Sequence, residues 1–176
     1  MYAAVLHFED KAEKEIKRIW HSLSKEGITD YAFEIKHRNP HITMASYEQL
    51  PLDQFESEFM SHFNHVSSFT LSFQTLGTFI QSGALFLSPV PTGSFMQIHE
   101  DYHRNFIKYQ DPNSLYVPEK WIPHCTLANR LNDAKLLEAL HHCTRILGPI
   151  QAKVTEAALI QVCKDEAPTL FKAELI

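Results

Sequence analysis

Two stretches of the chain carry the same order of reactive side chains: Pro40-His41-Ile42-Thr43-Met44-Ala45 and Pro123-His124-Cys125-Thr126-Leu127-Ala128. Composition alone gives the pattern Pro-His-x-Thr-x-Ala about 0.002 times in a chain of this kind, so the second copy needs a reason. Along a strand, side chains alternate between faces. His41, Thr43 and Ala45 are therefore expected on one face, with Ile42 and Met44 on the other. His124, Thr126 and Ala128 sort in the same way against Cys125 and Leu127. Each strand would offer an imidazole and a hydroxyl about 6.6 Å apart at the backbone. Two such strands facing each other suit phosphodiester chemistry. A neutral imidazole takes a proton from the attacking hydroxyl or water, and a protonated one gives a proton to the leaving oxygen. Histidine titrates at about pH 6.5, so both forms exist near neutrality. Threonine hydroxyls can donate to the non-bridging oxygens, where charge has to be held. His41 and His124 are the candidate acid–base pair, Thr43 and Thr126 the candidate phosphate ligands. The set calls for no metal and no cofactor.

The elements that must hold these strands follow from periodicity. Residues 2–8 form an apolar strand. Residues 10–25 place Ala12, Ile16, Ile19, Trp20 and Leu23 at helical spacing. After a turn at Gly27, "DYAFEI" and "HITMAS" read as strands. Pro51 opens a helix striped by Leu52, Phe55, Phe59 and Phe63. "SFTLSFQT" alternates strictly, and "TFIQSGALFLSPV" reads as two strands around Gln81-Ser82-Gly83. A helix over 94–109 is capped by Ser94, and "YQDPNS" is a loop. "IPHCTLA" is a strand. A helix over 133–146, capped by Asn132, turns Leu136, Leu137 and Leu140 inward, and strands over 150–162 and 169–175 complete the chain.

The two motifs lie 83 residues apart in a chain of 176, and each is followed by a helix and then by strands. That spacing points to duplication. The expected fold is α+β, duplicated and bilobal, with two antiparallel sheets lining a central cleft and helices packed outside. It forms one domain over residues 1–176, with pseudo-two-fold halves of roughly 1–88 and 89–176.

Composition narrows the function classes. The hydrophobic fraction of 44% and charged fraction of 21% are those of a globular protein. No segment has the length and apolarity of a membrane span, and the first residues lack the basic start of a signal peptide. Three widely spaced cysteines, Cys125, Cys143 and Cys163, point to a reducing, cytoplasmic setting. A net charge of −5 argues against broad electrostatic binding to nucleic acid. The motif flanks are nevertheless locally basic, with Lys36, His37 and Arg38 before the first copy and Lys120 and Arg130 around the second.

At these motifs the sequence resembles the 2H phosphoesterases, and within them the LigT-like or 2′-5′ RNA ligase-like proteins. That superfamily is named for two His-x-Thr/Ser motifs in a duplicated, two-lobed α+β fold. The resemblance covers nearly the whole chain in motif order and spacing. It implies that His41 and His124 are the acid–base pair and that Thr43 and Thr126 bind the phosphate. It also implies metal-free action on 2′,3′-cyclic phosphates, 2′-5′ linked RNA or related cyclic phosphodiesters, with a nucleotide or RNA end as partner and no protein partner. Many LigT-like members follow the second motif with Leu and then a basic residue. Here Ala128 and Asn129 stand between Leu127 and Arg130. A regular strand would bring Arg130 to the cleft as a substrate contact, and a bulge would turn it away.

Two other readings compete. His99-Glu100-x-x-His103 matches the helical zinc-hydrolase pattern, with the histidines as ligands and Glu100 as base. A module that binds a nucleotide or RNA end without turnover is the third class. Phe79, Phe86 and Trp121 are candidates to stack on a base at the cleft rim, against a plain role in packing.

Overall fold

The apolar run Tyr2–Phe8 forms β1, buried along almost its whole length. It is followed by helix α1, Asp10–Lys25, whose face of Ala12, Ile16, Ile19, Trp20 and Leu23 is buried. Asp10 and Glu13 in its first turn and Lys25 in its last complement the helix dipole. Strand β2 spans His41–Tyr47, helix α2 Leu52–Phe63, strand β3 Phe69–Gly77 and strand β4 Leu85–Pro89. Helix α3, Gly93–Asn105, leads through a short 3-10 turn and a loop to β5, Cys125–Ala128. Helix α4, Asp133–Ile146, and strands β6, Ile150–Gln161, and β7, Thr169–Glu174, complete the order. This computed structural model describes all residues from 1 to 176.

The strands join antiparallel in the order β2-β1-β6-β3-β4-β5, with β7 also on β6. The two expected sheets are thus two halves of one sheet, joined because β6 is twelve residues long. Its first part pairs with β3, its second with β1 and β7, and Val154 is the partner of both Phe69 and Phe8. One half is β2-β1-β6-β7 and the other β6-β3-β4-β5. The halves interleave along the chain: β3 and β4 lie before residue 90 yet sit with β5. A cluster of 35 buried apolar residues runs through both halves, so neither has a core of its own. Each motif strand lies at the outer edge of its half. The sheet curls until these two edges, β2 and β5, touch each other, consistent with the twist that strands accumulate.

Several expectations are corrected. "DYAFEI" is not a strand: Tyr31–Phe33 is a 3-10 turn. No neighbouring strand pairs with it beyond a single bridge from Lys36 to Glu166, and its rings pack locally, Tyr31 on Trp20 and Phe33 on His21. The strand expected at 78–80 is absent, because β3 itself runs on to Gly77 and pairs with Phe86 of β4. Gly83 holds that connection at φ 64°, where a Cβ would collide with the Leu131 carbonyl oxygen. Thr92 rather than Ser94 caps α3, accepting from the Phe95 N–H. Helix α4 is capped by Asn132 as expected. Its buried positions are Ala139 and Cys143, in register with the partly buried Leu136, while Leu137, 68% exposed, and Leu140 face outward. One residue is a step of about 100°, enough to swing Leu137 out of the stripe.

Candidate active site

Both motifs build the same local device. In each, Nδ1 of the histidine lies 2.7 Å from the carbonyl oxygen two residues earlier: Asn39 for His41, Ile122 for His124. A carbonyl only accepts, so Nδ1–H donates and the tautomer is set. The intervening residue is Pro40 or Pro123, whose ring fixes φ and holds the residue before it extended. Nε2 of each ring then carries the free lone pair. Neither Nε2 has a hydrogen-bond partner in the protein.

The shared Met/Leu-Ala ending has a structural meaning too. In the β1–β2 ladder Val5 pairs with Thr43 and Ala4 with Ala45, leaving Met44 as the extra residue of a bulge. In the β4–β5 ladder Phe86 pairs with Thr126 and Leu85 with Ala128, leaving Leu127 in the matching position. The burial sequence is the same in both copies: Pro buried, His partly open, the next residue buried, Thr partly open, then two buried. The bulges therefore correct the expected parity. Ala45 and Ala128 join the core, and in β2 the next residue, Ser46, takes the cleft face beside His41 and Thr43. Bulges re-aim side chains in this way beside active sites.

The copies are held opposite each other by crossed contacts. The Trp121 indole N–H, next to the second motif, donates to the Thr43 carbonyl at 2.9 Å. The Trp20 indole N–H, from α1 beside the first half, donates to the Thr126 carbonyl at 3.2 Å. The tyrosines cross likewise: Tyr116 faces the Thr43 side chain and Tyr31 faces that of Thr126. The His41 N–H faces the Cys125 thiol, whose burial pushes its pKa up to about 12. Cys125 is thus an inert packing group.

Burial drives the pKa of His41 down to about 4, with the positive charges of His7, His124 and Arg38 adding to the effect against the bond to Asn39. Burial also lowers His124, against the bond to Ile122. Two cavities adjoin at Tyr116. One, about 290 Å³, is lined by His41, Thr43, Ser46, His7 and Arg38 among others. The other, about 260 Å³, is lined by His124 with Phe79, Leu115, Trp121, Ile122 and Lys120. A wider polar depression between α2 and α3 lies away from both motifs, and its charged groups already pair, Lys108 with Glu58 and Arg104 with Asp101.

Among the predicted site residues, His41, Thr43 and His124 line the cleft cavities, and Thr126, partly open on β5, lines neither but faces Tyr31, which lines the first. Arg130 does not join them. β5 ends at Ala128 after its bulge, and Arg130 adopts φ 59° and pairs with Glu34. The zinc arrangement does not form either. Nε2 of both His99 and His103 is engaged by the Met44 carbonyl, at 3.2 and 3.0 Å, and Glu100 points to solvent. These two imidazoles capture the carbonyl of the residue that the β2 bulge leaves unpaired. The His99 ring also stacks on Trp121, 3.7 Å between centroids and 4° from parallel. Phe79 and Phe86 pack edge-on and tilted against the His124 ring, at 4.9 and 5.0 Å.

Sequence reasoning leaves His7 unplaced and passes over Tyr31, Tyr116 and Ser46. His7 is the one imidazole in an otherwise largely apolar, buried central strand, which is a usable signal. The others depend on loop paths and on the bulge, which leave no mark in the pattern.

A curled antiparallel sheet that sets two His-x-Thr edge strands face to face defines a LigT-like 2H protein. The chain belongs to the 2′-5′ RNA ligase superfamily, whose profile matches residues 8–166. Comparison with curated protein sequences finds no match. Among solved structures the chain is similar to Escherichia coli LigT complexed with 3′-AMP, at 16% identity and a TM-score of 0.67, covering 99% of this chain and 97% of that one. A structure described as a phosphoesterase follows at 14% identity and 0.65, with the same coverage. The protein TT0787 of Thermus thermophilus stands at 13% and 0.64, again covering 99% and 97%. At these identities the likeness is one of fold. No helix is long and apolar enough to cross a membrane.

Proposed function

We propose that the protein is a metal-independent phosphoesterase of the 2H type, hydrolysing 2′,3′-cyclic or 2′-5′ phosphodiesters of RNA or nucleotides, or ligating them in reverse. The observation that carries this reading is the twinned histidine device: two imidazoles with Nδ1 tied to the backbone and Nε2 free, on facing strands. One Nε2, neutral, takes a proton from water as the water oxygen bonds to phosphorus. The opposite ester bond breaks, and its oxygen receives the proton from the other Nε2–H. One imidazole gains a proton and the other loses one, so a later exchange with solvent restores the pair. Thr43 and Thr126 donate to the non-bridging oxygens, and Tyr116 and Tyr31 hold those hydroxyls in aim. The apolar cavity beside His124 takes the nucleobase. Three cysteines that form no disulfide support a cytoplasmic setting.

The test is turnover in EDTA on a panel of nucleoside 2′,3′-cyclic phosphates and 2′-5′ linked dinucleotides. Turnover that EDTA leaves unchanged is the expected result. Turnover restored only by added metal would overturn the mechanism. Binding of these ligands with no turnover would make the protein a binding module instead.

A further inference from the structure

The donors in the cleft outnumber what one phosphodiester can use, and the surplus lies on one side. A diester phosphate has two non-bridging oxygens and two ester oxygens, matched by two threonines and two imidazoles. The cavity beside His41 adds His7, Arg38, Ser46 and Thr169, and no Asp or Glu lines it, in a chain of net charge −5. The cavity beside His124 adds one cation, Lys120, to a largely apolar wall.

His7 carries the argument furthest. It is the direct partner of His41 in the β1–β2 ladder and of Glu156 in the β1–β6 ladder. The three side chains thus form a row across β2, β1 and β6. Glu156 takes the His7 Nδ1 at 3.0 Å and is itself held by Lys172 at 2.6 Å. The His7 side chain is only 11% exposed, yet its Nε2 has no protein partner, and the residue lines the cavity. Its centroid lies 6.4 Å from that of His41. One strand spacing, about 4.8 Å, separates it further from β5, so it stands behind His41 as seen from His124 and cannot reach a phosphate placed between the two motif histidines. Arg38 lies over the Tyr31 ring, 3.9 Å from its centroid, and gives one donor to the Tyr31 carbonyl. The Tyr31 hydroxyl engages Arg38 as well; a guanidinium has five donors, so those not turned to Tyr31 can serve an anion.

Resting on the phosphoesterase reading, we infer that the cavity beside His41 is a second anion subsite, in which His7 and Arg38 hold a phosphate of the substrate other than the one being cleaved. The substrate class narrows accordingly to nucleotides or oligonucleotides with at least two phosphates. The base lies on the His124 side, the scissile phosphate between His41 and His124, and the additional phosphate against His7 and Arg38. Glu156 acts through His7 as a positioning residue, keeping Nε2 turned into the cavity.

The test is calorimetric titration with adenosine 3′,5′-bisphosphate and, separately, adenosine 3′-monophosphate. Wild type is expected to bind the bisphosphate at least about tenfold tighter, the gain of one charge-assisted contact or more. In Arg38→Gln and His7→Gln the advantage should fall towards parity. The partly exposed Arg38 makes its variant the safer one to fold, and a circular dichroism melt checks both. Equal affinity in wild type, no binding of the bisphosphate, or an advantage that survives both substitutions would overturn the subsite. Turnover of a 2′,3′-cyclic monophosphate on the same preparation keeps the two readings apart. Turnover without a bisphosphate advantage removes the subsite alone, and the advantage without turnover removes the phosphoesterase reading alone.

Discussion

The two motif copies share a backbone and differ in what surrounds it. Proline, the Nδ1 tie to the carbonyl two residues back, the alternating exposure and the bulge after Thr recur at 40–45 and 123–128. The shells around them do not. His41 stands in a row of ionisable groups with His7 and Glu156, beside Arg38. His124 stands among Phe79, Phe86 and Ile122. On the proposed mechanism, chemistry that needs two equivalent imidazoles would draw on the repeated part. On the proposed reading, the part that differs would recognise an unsymmetrical substrate, with a base at one end and phosphates at the other. What the pair does and what it acts on are thus assigned, by proposal, to different residues.

Removing either histidine is the heaviest blow to that comparison. His41→Ala and His124→Ala should each lower kcat by about 10²–10⁴ while the chain still folds, as steady-state kinetics beside a thermal melt will read. A single variant with wild-type kcat would break the equivalence of the copies. Thr43→Val and Thr126→Val should cost less, about 10–10² in kcat, since a neutral hydroxyl stabilises charge less than proton transfer does.

A pH profile sharpens the comparison. The proposed mechanism requires one imidazole neutral and one protonated, whichever carries which role. The kcat/KM of the free enzyme should rise as pH climbs through about 4, where His41 loses its proton. It should fall as pH climbs through the value for His124, which burial holds below the usual histidine range. The maximum therefore lies on the acid side of the ordinary histidine value, about 6.5. An anionic substrate stabilises both charged imidazoles, so the kcat profile should sit at higher pH than that of kcat/KM. A kcat/KM still climbing above about pH 7 would contradict these environments.

The smallest effect belongs to the crossed tyrosines. Tyr116→Phe and Tyr31→Phe leave the rings in place and remove the hydroxyls that face Thr43 and Thr126. Each should reduce kcat several-fold, about one hydrogen bond's worth, with KM nearly unchanged. A change confined to KM would assign the tyrosines to substrate binding.

Part of this is legible in the sequence. The repeat exposes the four central side chains, because Pro, His, Thr and Ala at fixed spacing have few other uses. The helices α1 and α2 are readable because Ile16, Ile19 and Leu23, or Phe55, Phe59 and Phe63, leave a periodic stripe. The bulges are not readable. A single extra residue reverses parity without altering composition, so the pattern puts Ala45 in the cleft where Ser46 stands. Arg130 is misplaced for the same reason. The 3-10 turn at Tyr31 escapes because "DYAFEI" has a strand's composition but no strand to pair with. His7 owes its place to ladder registers among three strands that are far apart in the chain.

The measurement that bears most directly on the central claim is kcat for His41→Ala, His124→Ala and the double variant, in EDTA, on one 2′,3′-cyclic phosphate. Two imidazoles that pass a proton through a single transition state act as a unit, so the double variant should lose at most about tenfold beyond the worse single one. Losses that multiply in full, or a single variant that keeps the wild-type rate, would mean that the two copies do not work as one site.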